Sequence, residues 1–150
     1  MSPSVYETAQ VLRFYPPAQG AAPALAWLVE QQAGDGGWGW PGNPLYRIVP
    51  TLAAILALRV HDPTIGATAA IEAGLAFLAR NEEATATAGT SAIPIAYELI
   101  LPRLLADAAA VGLPVSMRPT AEVAALGRRR LTRLATDPPP ADTTPFVSWE

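Results

Sequence analysis

The feature that most constrains this chain is its punctuation. Sixteen prolines and eleven glycines cut the sequence into short apolar runs. Inside those runs the apolar residues return every three or four positions, the period of an α-helix. Leu25, Leu28 and Val29 form one such set, Leu52, Ile55 and Leu56 another, and Val123 and Leu126 a third. No stretch alternates apolar and polar residues as a half-buried strand does. The expectation is an all-α fold of short, alanine-rich helices joined by compact corners.

The same signals place the helices. Ser4, with Glu7 three residues on, reads as a capping box opening a helix over 4–12, which Tyr15-Pro16-Pro17 closes. Pro23 suits the first turn of a second helix, and Gly34 is expected to end it in a left-handed cap. Pro50 is expected to open a third, with Leu52, Ile55, Leu56 and Arg59 along one side. Asp62-Pro63 reads as a stop and a new start, leading into a helix that carries Ile65, Ala69, Ile71, Leu75 and Leu78. Residues 81–93 read as a break. Pro94 starts another helix, Pro102 kinks or restarts it, and Gly112 ends it. A last helix spans 119–135 with Val123, Leu126, Leu131 and Leu134 as its apolar stripe. Residues 137–145 have the composition of a linker, and FVSWE at 146–150 opens what reads as new structure.

Length and composition bound the rest. A chain of 150 residues with 51% apolar content fits one domain with a real core. Charged residues make up only 15%, below the usual quarter, which suggests much buried surface or a face that meets more protein. A net charge of −3 advertises neither nucleic acid nor an anionic membrane as partner. Without cysteine, and with His61 the only histidine, zinc sites built from Cys or His clusters are excluded. No apolar run is long enough to read as a transmembrane segment. The N-terminus lacks a basic region followed by an apolar one, so a cytoplasmic location is expected.

The stretch QQAGDGGWGW, residues 31–40, places two tryptophans in a glycine-rich turn. A glutamine amide near a helix end can satisfy orphan backbone groups. A tryptophan can cover that end with apolar surface. The pair then ties neighbouring helices together. Trp40 is the looser of the two and faces either further protein or solvent.

Four segments, in order, resemble the amino-terminal part of class II diterpene cyclases of the copalyl diphosphate synthase type, within the wider squalene–hopene cyclase superfamily. SVYETA at 4–9 is similar to the family's SAYDTA opening, with Glu7 in place of the usual Asp. LAWLVEQQAGDGGWGW at 25–40 is similar to LxWIxxNQLxDGSWG. RIVPTLAAILAL at 47–58 is similar to R-x-x-x-T-L-A-x-x-x-A-L. IPIAYELILPRLLADAAAVGLPV at 93–115 is similar to the MPIGFEVxFPxLLexA block. FVSWE resembles the onset of the family's next helical segment. Together they cover roughly residues 4–115. On this resemblance Gln32, Asp35, Gly36 and Trp38 match the Gln–Trp repeat, a structural motif. The family fold is a pair of α-barrel domains, called β and γ, with the active cavity between them. The resemblance implies a first β-type helix at 1–15, a γ-like domain of partial α/α-barrel form at 18–136, and a linker with the start of a following β segment at 137–150.

Class II cyclases protonate an alkene or epoxide with the middle Asp of a D-x-D-D motif, held protonated by its neighbours. This chain has five aspartates, Asp35, Asp62, Asp107, Asp137 and Asp142, and none lies in D-x-D-D or D-D-x-x-D. The resemblance places that acid in the β domain. The expected function is therefore that of a portion or subunit of a class II diterpene cyclase. With a D-x-D-D-bearing β-domain partner it would cyclise geranylgeranyl diphosphate to a bicyclic copalyl-type diphosphate, and alone it would be inactive. Mg²⁺ is implied for the complete enzyme and none is fixed for this chain. Glu82 and Glu83 match an acidic cluster before the MPIGFE block and read either as weak Mg²⁺ ligands or as a solvated loop. Glu98 matches the Glu of that block, and reads as part of a buried polar network or as a surface acid. Arg130, in the cluster Arg128, Arg129, Arg130 and Arg133, reads as a diphosphate contact or as helix-end charge. His61, Tyr6, Tyr97 and Trp149 read as corner or packing groups.

Two other readings stand beside this one: a non-catalytic helical domain that binds a protein or prenyl lipid, and a structural remnant. The first helix is expected to leave Tyr6, Ala9 and Leu12 with few neighbours, and the tail to leave Phe146, Val147 and Trp149 uncovered. That pattern implies either a complex with the β-domain protein or self-association.

Overall fold

The computed structural model describes residues 4–137, with the side chains of 62–65 excepted. The expectations for 138–150, including FVSWE and Trp149, lie outside the described residues. Every regular element among the described residues is an α-helix: α1 Val5–Phe14, α2 Ala21–Glu30, α3 Leu45–Ile65, α4 Thr68–Arg80, α5 Glu82–Thr87, α6 Tyr97–Ala110 and α7 Ala121–Thr136.

The axis of the fold is α3. Every residue from 51 to 58 is buried, so this helix has no solvent face along two turns. Helices α1, α4, α6 and α2 pack around it, and α7 packs on α6. Four consecutive small or branched side chains, Ala53, Ala54, Ile55 and Leu56, are all inaccessible or nearly so. The two alanines let neighbouring helices approach closely.

Several boundaries differ from expectation for physical reasons. Helix α1 is capped as expected, the Glu7 N–H donating to Ser4 Oγ at 3.3 Å, but it runs to Phe14. Ala9 and Leu12 are not short of neighbours: they are 0% and 1% exposed, buried against α3 and α2. Helix α2 starts from a left-handed Gly20 and ends at Glu30. The left-handed glycines of the corner are Gly36 and Gly39, at φ 89° and 101°, and not Gly34. Helix α3 begins five residues before Pro50 and continues past Asp62-Pro63 to Ile65; left-handed Gly66 follows it, at φ 62°. The expected break after residue 80 contains the short helix α5.

Helix α6 starts at Tyr97 from a left-handed Ala96 and passes through Pro102 without stopping. Its end is as expected. The Gly112 N–H bonds the Ala109 carbonyl and the Leu113 N–H bonds the Ala108 carbonyl, the paired bonds of a Schellman cap, with Gly112 at φ 72°. Helix α7 is capped by Thr120, whose Oγ accepts the Val123 N–H. Its expected apolar stripe is buried only at one end. Val123 is 1% exposed, whereas Leu131 and Leu134 are 57% and 66% exposed.

Candidate functional site

Two clusters gather the residues singled out in the sequence. The first is the α2–α3 corner. The chain leaves α2 at Gln31 and must turn under α4. Gly36 takes its positive φ there, and a Cβ on it would lie 2.2 Å from the Ala73 carbonyl oxygen of α4. Gln32 Nε2 donates to the carbonyls of Gly36 and of Ala70 in α4, each at 2.8 Å. Trp38 is 0% exposed. Its indole N–H donates to the Leu28 carbonyl at 2.6 Å, satisfying one of the last-turn carbonyls of α2. The Trp38 backbone N–H donates to Thr51 Oγ of α3 at 2.9 Å.

Asp35 completes the corner. Its carboxylate accepts both terminal nitrogens of Arg47 at 2.6 and 2.7 Å and the Gly37 N–H at 3.1 Å. The Arg47 hydrogen bonds, with smaller help from the Gly37 N–H and from Coulomb attraction, outweigh burial and hold the Asp35 carboxyl at about 2, below the usual 3.8. The Arg47 guanidinium, raised in turn by Asp35, lies 4.6 Å from the centroid of Phe77 of α4. Gln32, Asp35, Gly36 and Trp38 are thus brought together and tie α2, α3 and α4. Arg47 and Thr51 complete the tie, and no role was read for them in the sequence. Their four-residue spacing in R-x-x-x-T places both on one face of α3 and was the available signal.

The second cluster joins the start of α6 to α7. Glu98, expected as either a network or a surface acid, is buried, with 1% of its side chain exposed. It pairs with Arg130 of α7, whose side chain is 51% exposed. The close approach depends on Gly127: a Cβ there would lie 2.4 Å from the Glu98 carbonyl oxygen. Beside the pair is an open notch of about 240 Å³ lined by Ile93, Ile95, Leu126 and Arg130 among others. The adjacent Tyr97 is buried, which raises its phenol above the ordinary range. The Thr85 hydroxyl beside it opposes that rise, and neither of these two buried hydroxyls has any other hydrogen-bond partner.

Glu82 and Glu83 are not part of this pair. Glu82 accepts a hydrogen bond from Ser116 Oγ at 2.8 Å, and Glu83 is exposed on α5. Among the described residues no three His, Asp or Glu side chains gather to hold a metal ion. Mg²⁺ commonly keeps several waters and takes one or two carboxylates together with substrate phosphates, and Glu82, engaged by Ser116, and exposed Glu83 offer no more than such carboxylates. His61 Nε2 lies 2.9 Å from the Leu12 carbonyl and links α3 to the end of α1. Arg13 of α1 bonds Asp107 of α6 at 2.6 Å. Tyr6, Tyr46 and Trp40 line an open cleft of about 410 Å³ beside the corner, and Trp40 is 87% exposed. No helix among the described residues is long and apolar enough to cross a membrane.

No family model matches the chain. Solved structures place the fold. It superposes on ent-copalyl diphosphate synthase of Arabidopsis thaliana with a TM-score of 0.72 and 25% identity, over 90% of this chain and 20% of that one. On abietadiene synthase of Abies grandis the TM-score is 0.66, with 25% identity over 91% of this chain and 18% of that one. The chain is homologous to part of the class II diterpene cyclases, and its all-α fold matches their helical domains. Among curated relatives, (+)-kolavenyl diphosphate synthase of Herpetosiphon aurantiacus is 39% identical over 165 aligned residues, covering 100% of this chain and 32% of that enzyme. Ent-copalyl diphosphate synthase of a Streptomyces species is 40% identical over 111 residues, covering 69% of this chain and 20% of that enzyme. The chain therefore spans a third or less of the length of these relatives.

Proposed function

We propose that this chain is the γ-domain-containing portion of a class II diterpene cyclase and works with a β domain that bears the D-x-D-D acid. In this reading residues 1–15 are the first helix of the β-type domain. Residues 18–136 form a γ-like domain of partial α/α-barrel form, and 137–150 lead into the next β segment. The reaction is protonation of geranylgeranyl diphosphate and cyclisation to a bicyclic copalyl-type diphosphate. The observation that carries the reading is the alignment of the whole chain with 32% of the Herpetosiphon enzyme, together with a sequence that contains no D-x-D-D.

The chain's own contribution is architectural. The Gln32–Asp35–Gly36–Trp38 corner fixes α2, α3 and α4 as one wall of the cavity. The half-exposed guanidinium of Arg130, anchored by buried Glu98, offers donors to the diphosphate. Glu82 and Glu83 act only alongside groups that the partner or substrate supplies, and any Mg²⁺ belongs to the complete assembly. A cytoplasmic setting fits a reaction on a soluble prenyl diphosphate.

The test uses the purified chain and, as partner, the segment of the Herpetosiphon enzyme outside the matched 32%, made as a separate chain that is helical by circular dichroism. Geranylgeranyl diphosphate is incubated with each and with both, and products are read by mass spectrometry after dephosphorylation. Bicyclic product from the mixture alone is the expected result. Product from this chain by itself, or none from any mixture with a D-x-D-D-bearing partner, overturns the proposal.

A further inference from the structure

We propose that the C-terminal half of α7, with Ile95 beside it, is the surface on which the partner domain docks, and that the partner meets it with carboxylates around an apolar groove. The inference rests on the reading above and adds where the two parts join. Helix α7 touches α6 through Val123 and Gly127 and through the Arg130–Glu98 pair. Glu98 is the second residue of α6, so α7 runs on beyond the start of its own support. Every residue from 128 to 136 is exposed. At 1.5 Å per residue these nine residues project for about 13 Å.

The projecting part is not built for solvent. Positions 123, 127, 131 and 134 share one side of a helix. Leu131 and Leu134 therefore continue the stripe that packs on α6, while remaining 57% and 66% exposed. Ile95, 98% exposed, lines the notch beside Leu126 and Arg130. It is held out by Ala96, a non-glycine residue at φ 63°, a backbone state that costs about 1–3 kcal/mol and concentrates at functional sites.

Charge decides what covers this surface. Arg128, Arg129, Arg130 and Arg133 lie on the projecting turns, and no acid occurs between Glu122 and Asp137. Only Arg130 of the four has a carboxylate partner among the described residues. Arg129 and Arg133 are four residues apart, a spacing at which like charges oppose the helix. A helix of two to three turns without packing is marginal, and this one also repels itself. A partner that supplies both apolar cover and carboxylates removes both defects. A protein surface fits better than a bilayer, because two leucines are too little apolar face for interfacial binding. In the Herpetosiphon relative the two-thirds not matched here belong to the same polypeptide.

The chain contains no cysteine, so a single cysteine carries a unique label. Ala135→Cys on the projecting turn and Ala26→Cys on α2 are each labelled with an environment-sensitive dye and titrated with the Herpetosiphon partner segment. The expected result is a blue shift at position 135 and none at 26. Binding should weaken tenfold or more in Leu131→Asp/Leu134→Asp and in Arg129→Glu/Arg133→Glu, and should weaken in 0.5 M salt for the unmodified chain. All four side chains are exposed, so the variants should melt with the parent by circular dichroism, and that is checked first. Binding by the unmodified chain that both double variants retain overturns this inference and leaves the cyclase reading intact. A response at position 26 in place of 135 does the same. No complex by light scattering overturns both. A dye response at position 135 to phosphatidylglycerol vesicles and not to the protein replaces the inference with membrane docking.

Discussion

Trp38 offers the sharpest test of the corner, because one side chain performs two separable tasks. Its indole is 0% exposed, and its N–H donates to the Leu28 carbonyl at 2.6 Å. Trp38→Phe keeps most of the apolar volume and removes the donor. That leaves a last-turn carbonyl of α2 buried without a partner, at a cost of about 1–3 kcal/mol. Trp38→Ala removes both functions and opens a cavity between α2, α3 and α4, costing about 3–5 kcal/mol for the lost packing before the carbonyl is counted. For a chain of this size each kcal/mol moves the melting midpoint by about 2–4 °C. The alanine variant should therefore melt at least about 6 °C lower, with phenylalanine clearly between it and the parent. Urea unfolding followed by far-ultraviolet circular dichroism measures both without relying on tryptophan emission. If phenylalanine and alanine are equally damaging, the hydrogen bond has no separate worth. If alanine costs less than about 1 kcal/mol, far below the usual range for a buried aromatic, the corner is not a structural tie.

Other predictions follow from the same contacts. Gly36→Ala should destabilise by about 1–3 kcal/mol or more, since overpacking meets a fixed backbone carbonyl, whereas Gly34→Ala, with nothing within 4 Å, should be neutral or slightly stabilising; thermal melts of the pair check the contrast. Asp35 is held at about 2 against 3.8 for the free group, so its contribution is intact above about pH 4 and is lost as pH falls toward 2. Asp35→Asn should flatten the acid limb of melting temperature against pH in that window, an effect kept modest by the 48% exposure of the Asp35 side chain. Arg130→Ala should leave Glu98 buried and unpaired and destabilise by about 1–3 kcal/mol, while Arg130→Lys recovers part of the loss in urea titrations.

The helical class and the caps at Ser4 and Gly112 are legible because caps and periodicity are local. Both act on backbone groups a few residues away, and the sequence around them suffices; the Thr120 cap carries the same local signature and is shown only by the structure. Pro50 and Asp62-Pro63 mislead because a proline is not by itself a boundary: both lie inside α3. α3 begins at Leu45, and buried Leu101 and Leu104 hold α6 helical across Pro102. The sequence points to Gly34 as the left-handed cap because residue order alone does not reveal that the Ala73 carbonyl crosses at Gly36. Of the candidate site, the corner was readable from QQAGDGGWGW, but its anchors Arg47 and Thr51 come from the next helix. The Glu98–Arg130 pair spans 32 residues. Two residues named separately were joined only by the close approach that Gly127 permits. The apolar stripe of α7 is legible, but its exposed end is not, because periodicity marks a side of a helix and is silent on how far the neighbouring helix extends.

The solvent-free stretch of α3 has one further consequence. Amide protons in residues 51–58, buried throughout, should exchange with deuterium only when the whole domain opens, because no partial fraying exposes them. That segment is therefore an internal clock for global stability. Anything that binds only the native domain slows the clock by one plus the ratio of its free concentration to its dissociation constant, roughly a hundredfold at a hundred times that constant. A ligand or protein touching the far end of α7 would register at Ala53 and Leu56, residues it never contacts, while the exposed amides beyond residue 128 would reveal where it sits.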